Sequence, residues 1–418
     1  MIWLLLAGQL ALSEAVHQDR RVEGTLEGDD LLRAPGKLDA AIAKTAPRVD
    51  VLVIPDLPDG GRGTLWSSWG DGCVASNGKY YTSVGDHRGM DGTSRVYEYD
   101  PASKSLQLLV DVAKVQKGHG KIHAGIHEHD GALWFATYWG KPREMDFTGE
   151  YQGSILLRLE PASGKVENLG AIVPKRGLPA SNFDPARGLL YFHAVTTDGG
   201  DLQDSLAVYD VKARRVICSA GGNMTGKRAF LRDLAGRVYF SCRDGTLGVY
   251  GPDQGATAAT KIRLPEGASL RAGAAALKSG PLFGMTGAGR LFSLDPRTEE
   301  VKDLGPNLAD GDYTAVMASS PDGKWVYFVP GAHGSSSRHG TPVVQVDTAT
   351  GRRKVLAFLH APVREKLKHH LGGTYSLQVD AAGERLFITF NGAPVSGGKQ
   401  EAFGQPSIVV VHIPASER

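Results

Sequence analysis

Cysteine is scarce in this chain, with three in 418 residues: Cys73, Cys218 and Cys242. Thiols this few and this scattered exclude a disulfide framework and a zinc site built from closely spaced ligands, both of which need grouped sets. At most one bridge can form. Cys218 and Cys242 fall in neighbouring repeats and are the pair for it, the alternative being that the cysteines are small buried hydrophobes. An excess of charge of one sign is missing too. The 47 Lys and Arg against 45 Asp and Glu leave a formal net charge of +2 with no basic run, which removes the electrostatic ground for a nucleic-acid partner. Long apolar runs are also absent. Met1 to Leu12 is nearly all apolar but falls short of the ~20 residues that a membrane span needs, and no later segment approaches that length. It reads as a signal peptide over residues 1–16, without a basic residue near Met1 and with no following Cys to carry a lipid. A periplasmic or extracellular protein is the expectation.

What is abundant is glycine, 54 residues, in a chain only 22% charged, a composition suited to many tight turns between short strands. Seven times a strand-like segment runs into an Asp-Pro or similar turn, as in Val96 to Pro101, Ile155 to Pro161 and Leu291 to Pro296. Each copy also carries a second segment with one or two aromatics, such as Leu133-Trp134-Phe135-Ala136 or Val326-Tyr327-Phe328-Val329, and a Gly turn such as Asn77-Gly78 or Asp322-Gly323 precedes most of them. A period of roughly 40 to 50 residues with four short strands per copy predicts an all-β, seven-bladed β-propeller of four-stranded blades. The seventh copy ends at Ile413 without an outer strand, and Val49 to Ile54 is the obvious donor, closing the ring through the leading segment. Residues 49–418 then form one propeller domain, expected to be a monomer, and residues 17–48 a leader and linker with a short helix at Leu38 to Lys44.

In such a ring the first strand of each blade lines the axial channel, and the loops between second and third strands gather around its mouth. Read at those positions, blade one supplies Trp69, His87 and Arg88, blade two His123, Tyr138 and Trp139, and blade three His193. Blade four supplies Arg228, blade five Arg271, blade six Tyr313 and His333, and blade seven Tyr375. Asp86 is placed to orient His87 and set its tautomer. His123, His127 and His129 alternate along one strand face, yet at ~3.3 Å per residue His123 and His127 stand about 13 Å apart, too far to share one metal ion. No metal site is expected, and no cofactor is indicated. A rim of aromatics, imidazoles and hydroxyls suits carbohydrate, and an arginine on an inner strand is costly to bury without an anion, which points to an acidic ligand.

The repeats resemble those of the bacterial seven-bladed propellers grouped as YVTN, kelch-like or quinoprotein-like, over nearly everything after Val49. Asp86-His87-Arg88-Gly89, Lys121-Ile122-His123, Val329 to Gly334 and Gly373-Thr374-Tyr375 are similar to stretches of exported propellers from environmental bacteria. A narrower likeness is to propeller polysaccharide lyases. That resemblance implies β-elimination on an acidic polysaccharide, with His123 or His87 as base, Tyr375 or Tyr313 as acid and Arg228 neutralising the uronate carboxylate, though order and spacing match no lyase motif. Two other readings stand beside it: a non-catalytic propeller binding a glycan or protein partner through the same rim, and a metal-dependent redox or hydrolytic enzyme using the histidines.

Overall fold

Aromatic and β-branched side chains pack well on a pleated, half-buried surface, and the aromatic-bearing second segments of the copies are strands. They run Tyr80–Gly85, Ala132–Ala136, Leu189–Val195, Val238–Ser241, Leu282–Thr286, Trp325–Phe328 and Arg385–Pro394. The computed structural model describes residues 20–21, 23–55, 66–140, 145, 147, 149–196, 204–221, 223–225, 229–278, 280–308, 312–395 and 402–418. The expected signal peptide lies outside the described residues. Gly78, Gly131, Gly236, Gly323 and Gly383 turn the chain into five of those strands with φ between 70° and 82°, a region glycine enters without steric cost.

Seven sheets, antiparallel but for one added edge strand, follow one another in chain order, four of them with four strands and three with a fifth on the outer edge. The chain is a seven-bladed β-propeller. Its core lies mostly between neighbouring blades: Tyr81 and Val96 of blade one pack with Leu133, Phe135 and Leu157 of blade two, and comparable clusters recur around the ring. Blade seven closes as the repeat count requires. Arg48–Val53 pairs antiparallel with Ser407–His412, from Ser407 opposite Val53 to His412 opposite Arg48. Val49, Val51, Val409 and Val411 are fully buried in that closure, each contributing roughly 1.5–3 kcal/mol. Blades one and seven are further joined by buried polar contacts. Asn391 accepts the Ser68 amide at 2.7 Å and donates to the Ser68 carbonyl at 3.0 Å, while the Tyr80 and Ser376 hydroxyls meet at 2.5 Å.

The leading segment differs from the expected helix. Residues 38–44 carry no helix but the short strand Ala41–Ile42, parallel to Lys354–Val355 of blade six, with the Ala43 amide reaching the Val355 carbonyl at 2.9 Å. A helix of two turns has little to hold it in isolation, whereas the open edge of a sheet offers ready backbone partners. Gly24–Leu26 likewise adds a strand beside Arg48–Val53, and Arg20–Arg21 pairs with Ser105–Leu106 of blade one. Glu417 fastens this segment from the other end of the chain: its carboxylate accepts the Lys44 and Thr45 amides at 2.6 and 3.0 Å and the Lys354 ammonium at 2.6 Å.

The inner strand of blade two is shorter than its alternating histidines suggested. Only His127–His129 is strand; before it the chain makes an isolated bridge at Lys121 opposite Tyr138 and otherwise runs irregularly. The cause is crowding by blade one. A Cβ on Gly70 would collide with the Ala124 carbonyl, and one on Gly85 with the Gly120 carbonyl, so blade one's backbone presses directly on residues 120–124.

Candidate functional site

Trp69 precedes the first strand of blade one, and at that point the chain reaches the axis. Its indole is 8% exposed and is ringed by five other rings with centroids within 6.2 Å. Phe403 stacks on it at 5.3 Å, His123 stacks at 6.2 Å, His87 meets it edge-on at 5.1 Å, and Tyr375 and His333 tilt against it at 5.3 and 5.8 Å. The Lys121 ammonium lies 4.7 Å from the ring centroid. Trp69 therefore acts as the hub that positions imidazoles and a phenol, not as an open stacking platform.

Around the hub the polar groups are linked. The Tyr375 hydroxyl is 3.0 Å from His333 Nδ1 and 2.7 Å from the Tyr313 hydroxyl, and the Arg271 guanidinium lies over the Tyr313 and Tyr375 rings at 4.9 and 5.8 Å. His123 Nδ1 is 2.9 Å from the Pro179 carbonyl of blade three, which fixes the ring, and Tyr138 packs edge-on to it at 5.3 Å. His333 is exposed, and His87, Tyr313, Phe403 and Arg271 are partly exposed, so they form the accessible rim; Trp69, His123, Lys121 and Tyr375 are buried beneath it.

Of the twelve residues expected at the site, Trp69, His87, His123, Tyr138, Arg271, Tyr313, His333 and Tyr375 come together here. Four do not join them. His193 is fully buried within blade three, its Nε2 3.2 Å from Asp204 Oδ2, and it does not line the channel. Trp139 is 4% exposed and packs on Tyr151 at 4.9 Å, facing the interior of blade two. Arg88 is engaged by fully buried Asp86, which accepts its Nε and its amide at 3.0 Å and the Thr93 amide at 3.1 Å. That carboxylate thus builds the Asp86–Thr93 turn. Arg228 lies outside the described residues.

Three contributors escaped the sequence reading. Lys121, only 4% exposed, sits two residues before His123, and the burial cost that drew attention to the arginines applies equally to it. Phe403 comes from the third-strand loop of blade seven, where no motif marks it. Asp71 follows Trp69 by two residues and lines the same channel. Its carboxylate accepts the Leu377 amide at 3.1 Å and the Gln378 side-chain amide at 2.7 Å, and burial pushes its pKa up to about 7 against the lowering effect of those bonds.

Below the mouth runs a channel of about 300 Å³, lined by inner-strand residues of several blades. On blade seven it reaches from Tyr375 to Val379, four residues or roughly 13 Å along the strand. His127 lines it with its Nε2 2.7 Å from the Ser181 hydroxyl, and its pKa is pushed down to about 4, chiefly by burial and further by the charge of Arg232. Among the described residues no three His, Cys, Asp or Glu side chains converge as a metal site would require, and Cys73, Cys218 and Cys242 are free thiols.

No family model and no curated protein matches this chain. Solved propellers do. A crystal structure of the RRP9 WD40 repeats matches with a TM-score of 0.55 and 13% identity, covering 90% of this chain and 100% of that one. A chain of the mitotic checkpoint complex crystal structure gives the same score and identity over 90% of this chain and 98% of its own. At that identity the likeness concerns the fold alone.

Proposed function

We propose that this propeller is a recognition protein that binds an acidic glycan at its axial mouth. One observation carries the reading: Arg271 is held over the faces of Tyr313 and Tyr375 at a partly exposed opening, and among the described residues it makes no ion pair. A guanidinium kept on aromatic faces is positioned yet retains its hydrogen-bonding fork for a carboxylate. The imidazoles and phenols of the rim supply partners for sugar hydroxyls, and Phe403 offers a partly exposed ring to a sugar face.

Calorimetric titration with polygalacturonate and alginate, with dextran as the neutral control, tests it. Only the acidic polymers are expected to bind, more weakly at high salt, and Arg271→Ala is expected to weaken them at least about tenfold, the scale of a charge-assisted hydrogen bond. Equal binding of dextran would overturn the reading.

The Tyr375 hydroxyl, bonded by His333 and Tyr313 beside Arg271, favours one second reading, elimination on the same ligand. There Arg271 takes the neutralising part that the lyase resemblance gave to Arg228. Ultraviolet absorbance from unsaturated uronate ends, appearing during incubation with the polymers and lost in Tyr375→Phe, would decide for catalysis. Its absence leaves recognition alone.

A further inference from the structure

The channel carries a second cation that the mouth does not use. Arg232 ends the inner strand of blade four, Leu231–Arg232, immediately before the hairpin turn at Asp233 to Gly236, whereas Tyr375 stands at the mouth. The two therefore lie toward opposite ends of one cavity. Arg232 Nε is buried without a hydrogen-bond partner, and its Nη1 makes only a long 3.4 Å contact with the neighbouring Asp233 carbonyl. Among the described residues it has no ion pair.

We propose that the inner end of the channel is a separate binding site for the carboxylate of a small organic acid, anchored by Arg232. At this end of the cavity the groups beside it are neutral donors and acceptors, His127, Ser181 and Asn182, with Phe183 as an apolar wall, while Arg271 lines the same cavity at the mouth. Among the described residues the one carboxylate lining the cavity, Asp71, is committed across the channel to Leu377 and Gln378 of blade seven. Arg232 is partly exposed, but its Nε is buried without a partner; leaving such a donor unpaired costs free energy, and an incoming anion removes that cost. At the inner end a single guanidinium among neutral groups matches the single charge of a carboxylate, while a phosphate dianion calls for a second cation close by, and Arg271 stands at the other end. The channel holds about 300 Å³ over its whole length, mouth included, which leaves room at its inner end for a small organic acid. The site does not depend on the glycan reading of the mouth.

Titration of the full chain with glucuronate, lactate, inorganic phosphate and glucose tests it. The two carboxylates are expected to bind one to one and glucose not at all. Arg232→Gln should weaken the carboxylates at least about tenfold while leaving polymer binding at the mouth within twofold. Asn182→Asp places a competing carboxylate in the channel and should weaken them comparably without altering Arg232, so a folding defect in one variant does not hide the answer. Phosphate binding more tightly than glucuronate, glucose binding equally, or both variants retaining full affinity would overturn the proposal.

Discussion

Four histidines, buried His119, His369 and His370 and partly exposed His127, have pKa values pushed down to about 4, chiefly by burial, with the charge of Arg232 adding to the effect for His127 and that of Arg364 for His370. They are neutral in the folded protein and protonate readily once unfolded, so between pH 6.5 and 4 the unfolded chain binds more protons. Stability therefore falls as the solution is acidified through that window. Asp71 works in the opposite sense. Its folded pKa of about 7 lies above the unfolded carboxylate range, so its contribution is full at low pH and fades as pH rises from about 4 to 7. Urea midpoints measured across pH 4 to 8 should drop on the acid side, and Asp71→Asn should make that drop steeper. A pH-independent midpoint in the wild type would contradict the assignment. Trp69→Ala removes the hub of the mouth and should cost about 3–5 kcal/mol in the same assay, a typical loss for a buried aromatic.

Among the elements, the closing strand Arg48–Val53 has a polar pin as well as an apolar face. Asp50, 2% exposed, accepts Thr25 Oγ1 at 2.6 Å, Arg48 Nη2 at 2.7 Å and His412 Nε2 at 2.8 Å. Burial opposes its ionisation, yet the hydrogen bonds from His412, Arg48 and Thr25 together hold its carboxyl well below the ordinary range. Its contribution is thus present near neutrality and lost as pH falls. Asp50→Asn is expected to lower stability by about 1–3 kcal/mol at pH 7 and by less in acid, read from urea unfolding at the two pH values. The aromatic second strands, their glycine turns and the closing strand were legible because each repeats or completes a period that a packed sheet imposes. The edge strands Gly24–Leu26 and Ala41–Ile42 were not, since two or three residues carry no periodicity and their pairing depends on which sheet edge is free. The irregular run before His127 escaped for a related reason: the backbone of another blade presses on it, and alternation in a sequence does not register such contacts.

For the molecule as a whole, the ring turns residues from five blades into neighbours. Trp69 and His87 of blade one, His123 of blade two, Arg271 of blade five, Tyr313 and His333 of blade six and Tyr375 of blade seven were foreseeable because the repeat register places equivalent positions at one mouth. His193 and Trp139 occupy similar registers but turn into their own blades, a distinction set by side-chain packing and not by position in the repeat. Removal of residues 1–53 would strip blade seven of its outer strand and expose an edge, so the truncated protein should elute as aggregates or higher oligomers in size-exclusion chromatography with light scattering. A truncated form that stays monomeric with an unchanged melting temperature would show that closure contributes little.

The hub also straddles the junction where the first and last blades meet, with Trp69 and His87 on one bank and Tyr375 and Phe403 on the other. Whatever occupies the mouth consequently acts as a clasp across the suture of the ring. Saturation at a hundredfold excess over Kd would add about 2.7 kcal/mol against opening, so the protein when loaded should outlast its empty form wherever heat or proteases begin by parting those two banks.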